Sequence, residues 1–213
     1  MANFKTHLSV AAGASGVAAI ATHVQGLINL LDIPWFVFLG TIGGLLPDID
    51  SNNSHPLRML FTSLSGLIAA LTILAYKDSY ILQHVFIFAS SAFLMVRYPI
   101  LAIFKKITVH RGIFHSLFAV VFFTFLTVYI NHFFFQTSDK FAWLSGFFIG
   151  FGFVVHLLLD EVYSVDLSNA RLKKSFGTAF KVMSLKYPWA SLMMLIACAS
   201  LFQYIPSFPF HTV

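Results

Sequence analysis

Residues 141–163 read FAWLSGFFIGFGFVVHLLLDEVY. From Phe141 to Val155 there is no ionisable side chain; His156 and Asp160 then follow, four apart, near the end of the run. A segment of this length and composition satisfies its backbone groups inside a helix and its side chains in lipid. The four-residue spacing puts the imidazole and the carboxylate on one helix face, with Cβ atoms about 5–6 Å apart. Ionisable groups at membrane depth are costly, so the pair points to a site.

The same pattern extends over the chain. Of 213 residues, 58% are hydrophobic and 10% charged, and 26 are phenylalanine. A soluble domain carries about 25% charged residues. Apolar segments lie at about 8–31, 33–47, 57–76, 80–104, 113–134, 141–163 and 187–205. These predict an all-α, polytopic membrane bundle of six or seven hydrophobic helices, forming a single integral-membrane domain over 1–213. The first segment, with its AAGASGVAAIA run, suits close helix packing. It reads as a retained helix, because further spans follow it. The second segment reaches only about 22 Å, short of a hydrocarbon core of about 30 Å. It either crosses with Asp48 in a polar cavity or re-enters on the side it left. Residues 164–186 read as a basic connector on the cytoplasmic side, either an amphipathic segment on the membrane surface or a solvated loop.

The net charge of +5 is spread between spans rather than gathered in one patch, which argues against nucleic acid as a partner. With seven crossings and the N-terminus inside, inner loops carry Lys5, Arg58, Lys105, Lys106, Arg111, Arg171, Lys173, Lys174, Lys181 and Lys186. Outer loops carry Lys77 and Lys140, and Arg97 falls within a span. This is a strong positive-inside bias. The same parity places His7, Asp48, Asp50, His110, His115, His156 and Asp160 at the inner face. The lone Cys198 excludes a disulfide framework and a cysteine metal site.

The inner-face groups come in four clusters. His7 stands at the mouth of the first segment. In LLPDID, Pro47 ends the helix and frees Asp48 and Asp50 from helical spacing. In HRGIFHS, His110 and His115 flank a turn into a helix whose first N–H groups can hold an anion, with Arg111 as a bidentate phosphate contact. Ser116 is a hydrogen-bond donor or, less simply, a nucleophile. HLLLD supplies His156 and Asp160. Bland alternatives stand beside each: a buried polar pair joining helices, a helix stop, a positive-inside anchor. Together, imidazoles and carboxylates suit zinc foremost, or manganese or iron, as one or two ions. His84, His132 and His211 map to the opposite side, and His23 reads as a packed helix residue.

A histidine near the N-terminus, LLPDIDS, HRGxxHS and HxxxD in this order resemble the YdjM-type family of inner-membrane-associated metal-dependent hydrolases, also described as LexA-binding. The resemblance runs from His7 to about Asp166. It implies a metal-dependent hydrolase of the bacterial inner membrane. It carries over His7, Asp48, Asp50, His110, His115, His156 and Asp160 as the metal and catalytic set.

The leading expectation is therefore a membrane-embedded hydrolase of a phosphoester in a lipid or lipid-linked substrate, using metal-activated water. Asp48, Asp50 or Asp160 would accept the proton, and Arg111 would hold the phosphate. Its partners are membrane lipids and a lipid-like substrate, with self-association compatible and regulator binding implied only by the resemblance. The competing expectations are a metal or proton transporter, and a non-enzymatic scaffold or regulator with a structural metal. The topology is checked on a Cys198→Ser background: Lys77→Cys and Lys140→Cys should react with an impermeant maleimide from outside, and Lys174→Cys only after lysis. With the N-terminus inside, the inverse pattern would mean that segment 33–47 re-enters.

Overall fold

The computed structural model describes residues 3–50, 55–107, 113–166, 171–172, 181–182 and 188–209, with the side chains of 50, 55, 107, 165, 166, 171 and 172 outside that set. Its helices are α1 (Phe4–Val24), α2 (Ile33–Gly43), α3 (His55–Tyr76), α4 (Leu82–Met95), α5 (Leu101–Ile107), α6 (Leu117–Phe133), α7 (Asp139–Val162) and α8 (Pro188–Tyr204). Among the described residues the only sheet is an antiparallel pairing of Val165–Asp166 with Arg171–Leu172. The expected all-helical membrane bundle is what forms. Four helices are long and apolar enough to cross a membrane: Phe4–Val24, Pro56–Tyr76, Leu82–Lys106 and Asp139–Val162. Leu30–Gly43, Leu117–Phe133 and Pro188–Tyr204 are shorter apolar helices.

The chain divides into two compact units, Met1–Pro47 with Arg111–Val213, and Asp48–His110. In the first unit α7 is the central helix, packed by α1, α2 and α6, while α8 covers α6. One face of α1, His7, Ala11, Ser15 and Ala19, is buried at four-residue spacing. The two glycines of the small-residue run, Gly13 and Gly16, instead face open space. Helix α1 starts at Asn3, whose side chain accepts the Thr6 N–H at 2.8 Å. It ends in a Schellman turn: Gly26, at φ 70°, donates to His23, and Leu27 donates to Thr22. His23 Nδ1 meets the Ile28 carbonyl at 2.9 Å, which fits its reading as a packed helix residue.

The core around Phe36 joins α1, α2 and α7 through Ala19, Leu39, Leu144, Phe148 and Ile149. Phe36 lies 4.9 Å from Phe148 and 5.1 Å from Phe141, ring centre to ring centre. A second core joins α6, α7 and α8 through Ala119, Phe153, Leu157, Met194 and Cys198. The shortness of α2 is real: its 11 residues span roughly 16 Å, about half a hydrocarbon core.

In the second unit α3 pairs with a helix that runs from Leu82 to Lys106. A π-helical turn at Val96–Ile100 interrupts that helix around Pro99, which has no N–H to give the ladder. Phe61 and Phe104 meet at 5.3 Å near one end, and Tyr76, Tyr80 and Phe88 form an edge-to-face group near the other. Leu31, Leu82, Val24 and Trp189 are among many large apolar side chains left exposed, as a lipid-facing surface requires. Phe36→Ala should cost about 3–5 kcal/mol, read as a lower thermal midpoint in detergent. Phe86→Ala, at a side chain 70% exposed, should stay within about 0.5 kcal/mol of wild type.

Candidate functional site

Helix α7 delivers His156 and Asp160 one turn apart on its buried side, and both are 1% exposed. Helix α1 brings His7, also 1% exposed, from its first turn. His115 stands immediately before the α6 N-cap, Ser116, and is fully buried. The extended backbone of Ser116, φ −152° and ψ 158°, takes the preceding residue off the helix axis. Among the described residues, these four are the only histidines or carboxylates buried below a tenth exposure.

The three imidazoles surround one carboxylate. His7 Nε2 lies 3.3 Å from Asp160 Oδ1, while His115 Nε2 and His156 Nε2 lie 3.7 and 4.0 Å from Oδ2. The His7 and His156 rings stack at 3.8 Å and 14°, and the His115 ring stands edge-on to His156 at 5.8 Å. One ligand atom from each of His7, His156 and Asp160 falls within 4.8 Å of the others. Two ligands on a tetrahedral zinc ion are about 3.3–3.4 Å apart, given bonds near 2.0–2.1 Å. His7 Nε2 and Asp160 Oδ1 already stand at that spacing, and the other ligand atoms would close by up to about 1.4 Å to hold such an ion.

His156 Nδ1 is 2.7 Å from the carbonyl oxygen of Gly44. A carbonyl only accepts, so Nδ1 carries the proton, and in the neutral ring Nε2 then presents a lone pair toward Asp160. Metal-binding histidines characteristically have this arrangement. His7 Nδ1, fully enclosed, has no hydrogen-bond partner among the described residues.

The remaining expected residues are distributed as follows. Asp48, half-buried, sits in the 3₁₀ turn Leu46–Asp50 that follows α2. Asp50 closes that turn, and its side chain lies outside the described residues, as do His110 and Arg111 entirely. The α6 start departs from expectation. Its first N–H groups do not face an open anion site: Leu117 and Phe118 donate to the carbonyls of Lys181 and Val182 at 2.9 and 3.2 Å. Ser116 is a cap, donating to the Ile113 carbonyl at 2.5 Å and accepting from the Ala119 N–H at 3.3 Å.

Away from the cluster, His132 pairs with Asp139 at 3.1 Å, linking the far ends of α6 and α7. An apolar furrow of about 540 Å³ runs between α6 and α7, lined by Val121, Phe125, Trp143, Phe147, Phe151 and Val154 among others. At 3.6 residues per turn, Phe147, Phe151 and Val154 fall opposite His156 and Asp160 on α7. This furrow faces away from the cluster.

A profile of the YdjM inner membrane protein family matches residues 1–206. The chain belongs to that family. It is thus an inner membrane protein, in agreement with its four long apolar helices and greasy exterior. No curated protein and no solved structure matches it. The YdjM match covers His7, the LLPDID and HRGIFHS stretches and the HLLLD helix face alike.

Sequence reasoning missed Gly44, whose backbone carbonyl holds His156. The available signal was the run of small residues in LGTIGGLL facing FFIGFG, which permits close backbone approach. Ser116→Ala should cost about 1 kcal/mol through loss of the cap, and Ser116→Thr should restore most of it, both read by thermal unfolding in detergent. A nucleophilic Ser116 would instead give loss of turnover with unchanged stability.

Proposed function

We propose that this YdjM-family protein is a membrane-embedded, metal-dependent hydrolase. Its substrate is a phosphoester of a lipid or lipid-linked molecule, attacked at the cytoplasmic face of the inner membrane. The observation that carries the reading is the convergence of His7, His115 and His156 on Asp160, all four buried. A buried carboxylate ringed by imidazoles, one with its tautomer set by a backbone carbonyl, has the donor chemistry of a zinc, manganese or iron site.

His7, His156 and Asp160 would hold the ion, and His115 would add a fourth donor. Such an ion supplies Lewis acidity and makes water acidic enough to serve as a nucleophile near neutral pH. Asp48 and Asp50 follow Gly44 closely in the chain and are the proton acceptors in this reading, as well as candidates to complete a second metal position. His110 and Arg111 precede His115 by five and four residues. They are assigned to the same centre and to the substrate phosphate. With the first N–H groups of α6 already engaged, phosphate recognition falls to Arg111 rather than to the helix start.

A second reading is favoured by one specific observation. His7, His115, His156 and Asp160 are each 1% exposed or less. A structural metal is closed in this way, whereas a catalytic one keeps an open position. A scaffold with a structural metal is therefore the alternative. A transporter has less support: buried groups higher in the first unit, such as Ser15, Thr124, Asn131 and Ser145, are hydroxyls and an amide rather than titratable groups.

Elemental analysis of detergent-purified protein, paired with phosphate-release assays on phospholipid vesicles, separates the two. The hydrolase reading expects near-stoichiometric zinc, manganese or iron and measurable release. His156→Ala should lower metal affinity and turnover together, by at least about 10²-fold. Stoichiometric metal with no turnover on phosphoesters would favour the structural reading, and absence of metal after reconstitution would exclude both.

A further inference from the structure

The short helix α2 ends at Gly43, and its cap residue is Gly44. The Gly44 carbonyl lies beyond the last helical hydrogen bond, and His156 Nδ1–H takes it at 2.7 Å. This bond depends on how closely α2 lies against α7. At two points the backbones of α2 and α7 meet with no room for a methyl group, and at a third α2 meets α1. A Cβ on Gly152 would run into the carbonyl of Gly40, one on Gly43 would run into the carbonyl of Ile149, and one on Gly44 would strike the Ala11 side chain on α1. The first two collisions are with main chain, which cannot rotate away, so an added methyl must push the helices apart.

Gly152 lies one turn before His156 on the same buried side of α7, and Gly43 is the residue before the carbonyl that His156 contacts. We propose that Gly43 and Gly152 are positioning residues of the centre: their backbone-to-backbone seam fixes the Gly44 carbonyl against His156 and thereby its tautomer. Nε2 is left as the lone-pair nitrogen facing Asp160, and the ring is held in its stack on His7. An ordinary packing seam would affect stability alone; this one also decides which nitrogen of His156 is protonated. Its consequence for metal binding rests on the hydrolase reading above, whereas the tautomer does not.

The test uses the full chain in detergent, labelled with ¹⁵N-histidine, with long-range ¹H–¹⁵N spectra of the metal-free protein followed by zinc affinity from chelator competition. Wild type should show His156 as the Nδ1–H tautomer. Gly43→Ala and Gly152→Ala should shift it toward Nε2–H or a mixture and weaken zinc binding about 10–100-fold. Gly150→Ala sits on the α6 side of the same helix, where the new methyl meets the movable Thr124 hydroxyl. It should leave tautomer and affinity unchanged. A wild-type His156 protonated on Nε2 overturns the proposal, even if both alanine variants fail to fold. So does a folded Gly152→Ala with wild-type tautomer and affinity, or an equal effect from Gly150→Ala. If wild type binds no zinc, the metal reading fails, and the tautomer comparison still decides the seam.

Discussion

The first unit of this protein is organised around one costly act, the burial of Asp160. A carboxylate removed from water loses several kcal/mol of solvation unless neighbours replace it. Here the neighbours that can donate to it are the imidazoles of His7, in the first turn of α1, and His115, before the α6 cap, while His156, one turn earlier on α7, faces it with a lone pair that a cation between them would satisfy. None of these segments can be displaced without exposing or isolating the charge. The close packing of α1 and α6 against α7 serves this requirement as well as apolar contact, which in lipid provides little drive of its own.

The short helix α2 bears on the same cluster. Helix α2 stops where its backbone is needed, delivering the Gly44 carbonyl to His156. Non-helical backbone at membrane depth is tolerated where it is enclosed by protein or lines a cavity. The chain then turns directly into the 3₁₀ segment bearing Asp48 and Asp50. Glycine at 43 and 152 is therefore a matter of distance rather than of backbone angle: both residues are ordinary helix positions at which a side chain would not fit.

Much of this was legible in the sequence. The membrane class follows from apolar run lengths. The His156–Asp160 pair follows from helical spacing, and His7 and His115 follow from their places at the ends of neighbouring segments. What could not be read is carried by backbone atoms. No residue identity announces that a carbonyl at Gly44 will set a histidine tautomer, or that the carbonyls of Lys181 and Val182 will occupy the first N–H groups of α6. A helix start preceded by His-Arg-Gly reads as an anion site because sequence shows donors and hides the acceptors that another segment brings. Likewise Ser116 offered a reactive hydroxyl by type, while its position before Leu117 made it a cap.

The function of this YdjM-family protein depends on whether its histidine–aspartate cluster holds a metal ion. Zinc-edge X-ray absorption of the purified, zinc-loaded protein addresses that directly, because it reports which atoms surround the ion. The account predicts a nitrogen and oxygen shell at about 2.0–2.1 Å, with the outer-shell scattering of two or three imidazole rings that disappears in a His7→Ala, His156→Ala variant. A shell without imidazole, or one unchanged by that double substitution, would contradict it and leave the cluster as a buried polar joint between helices.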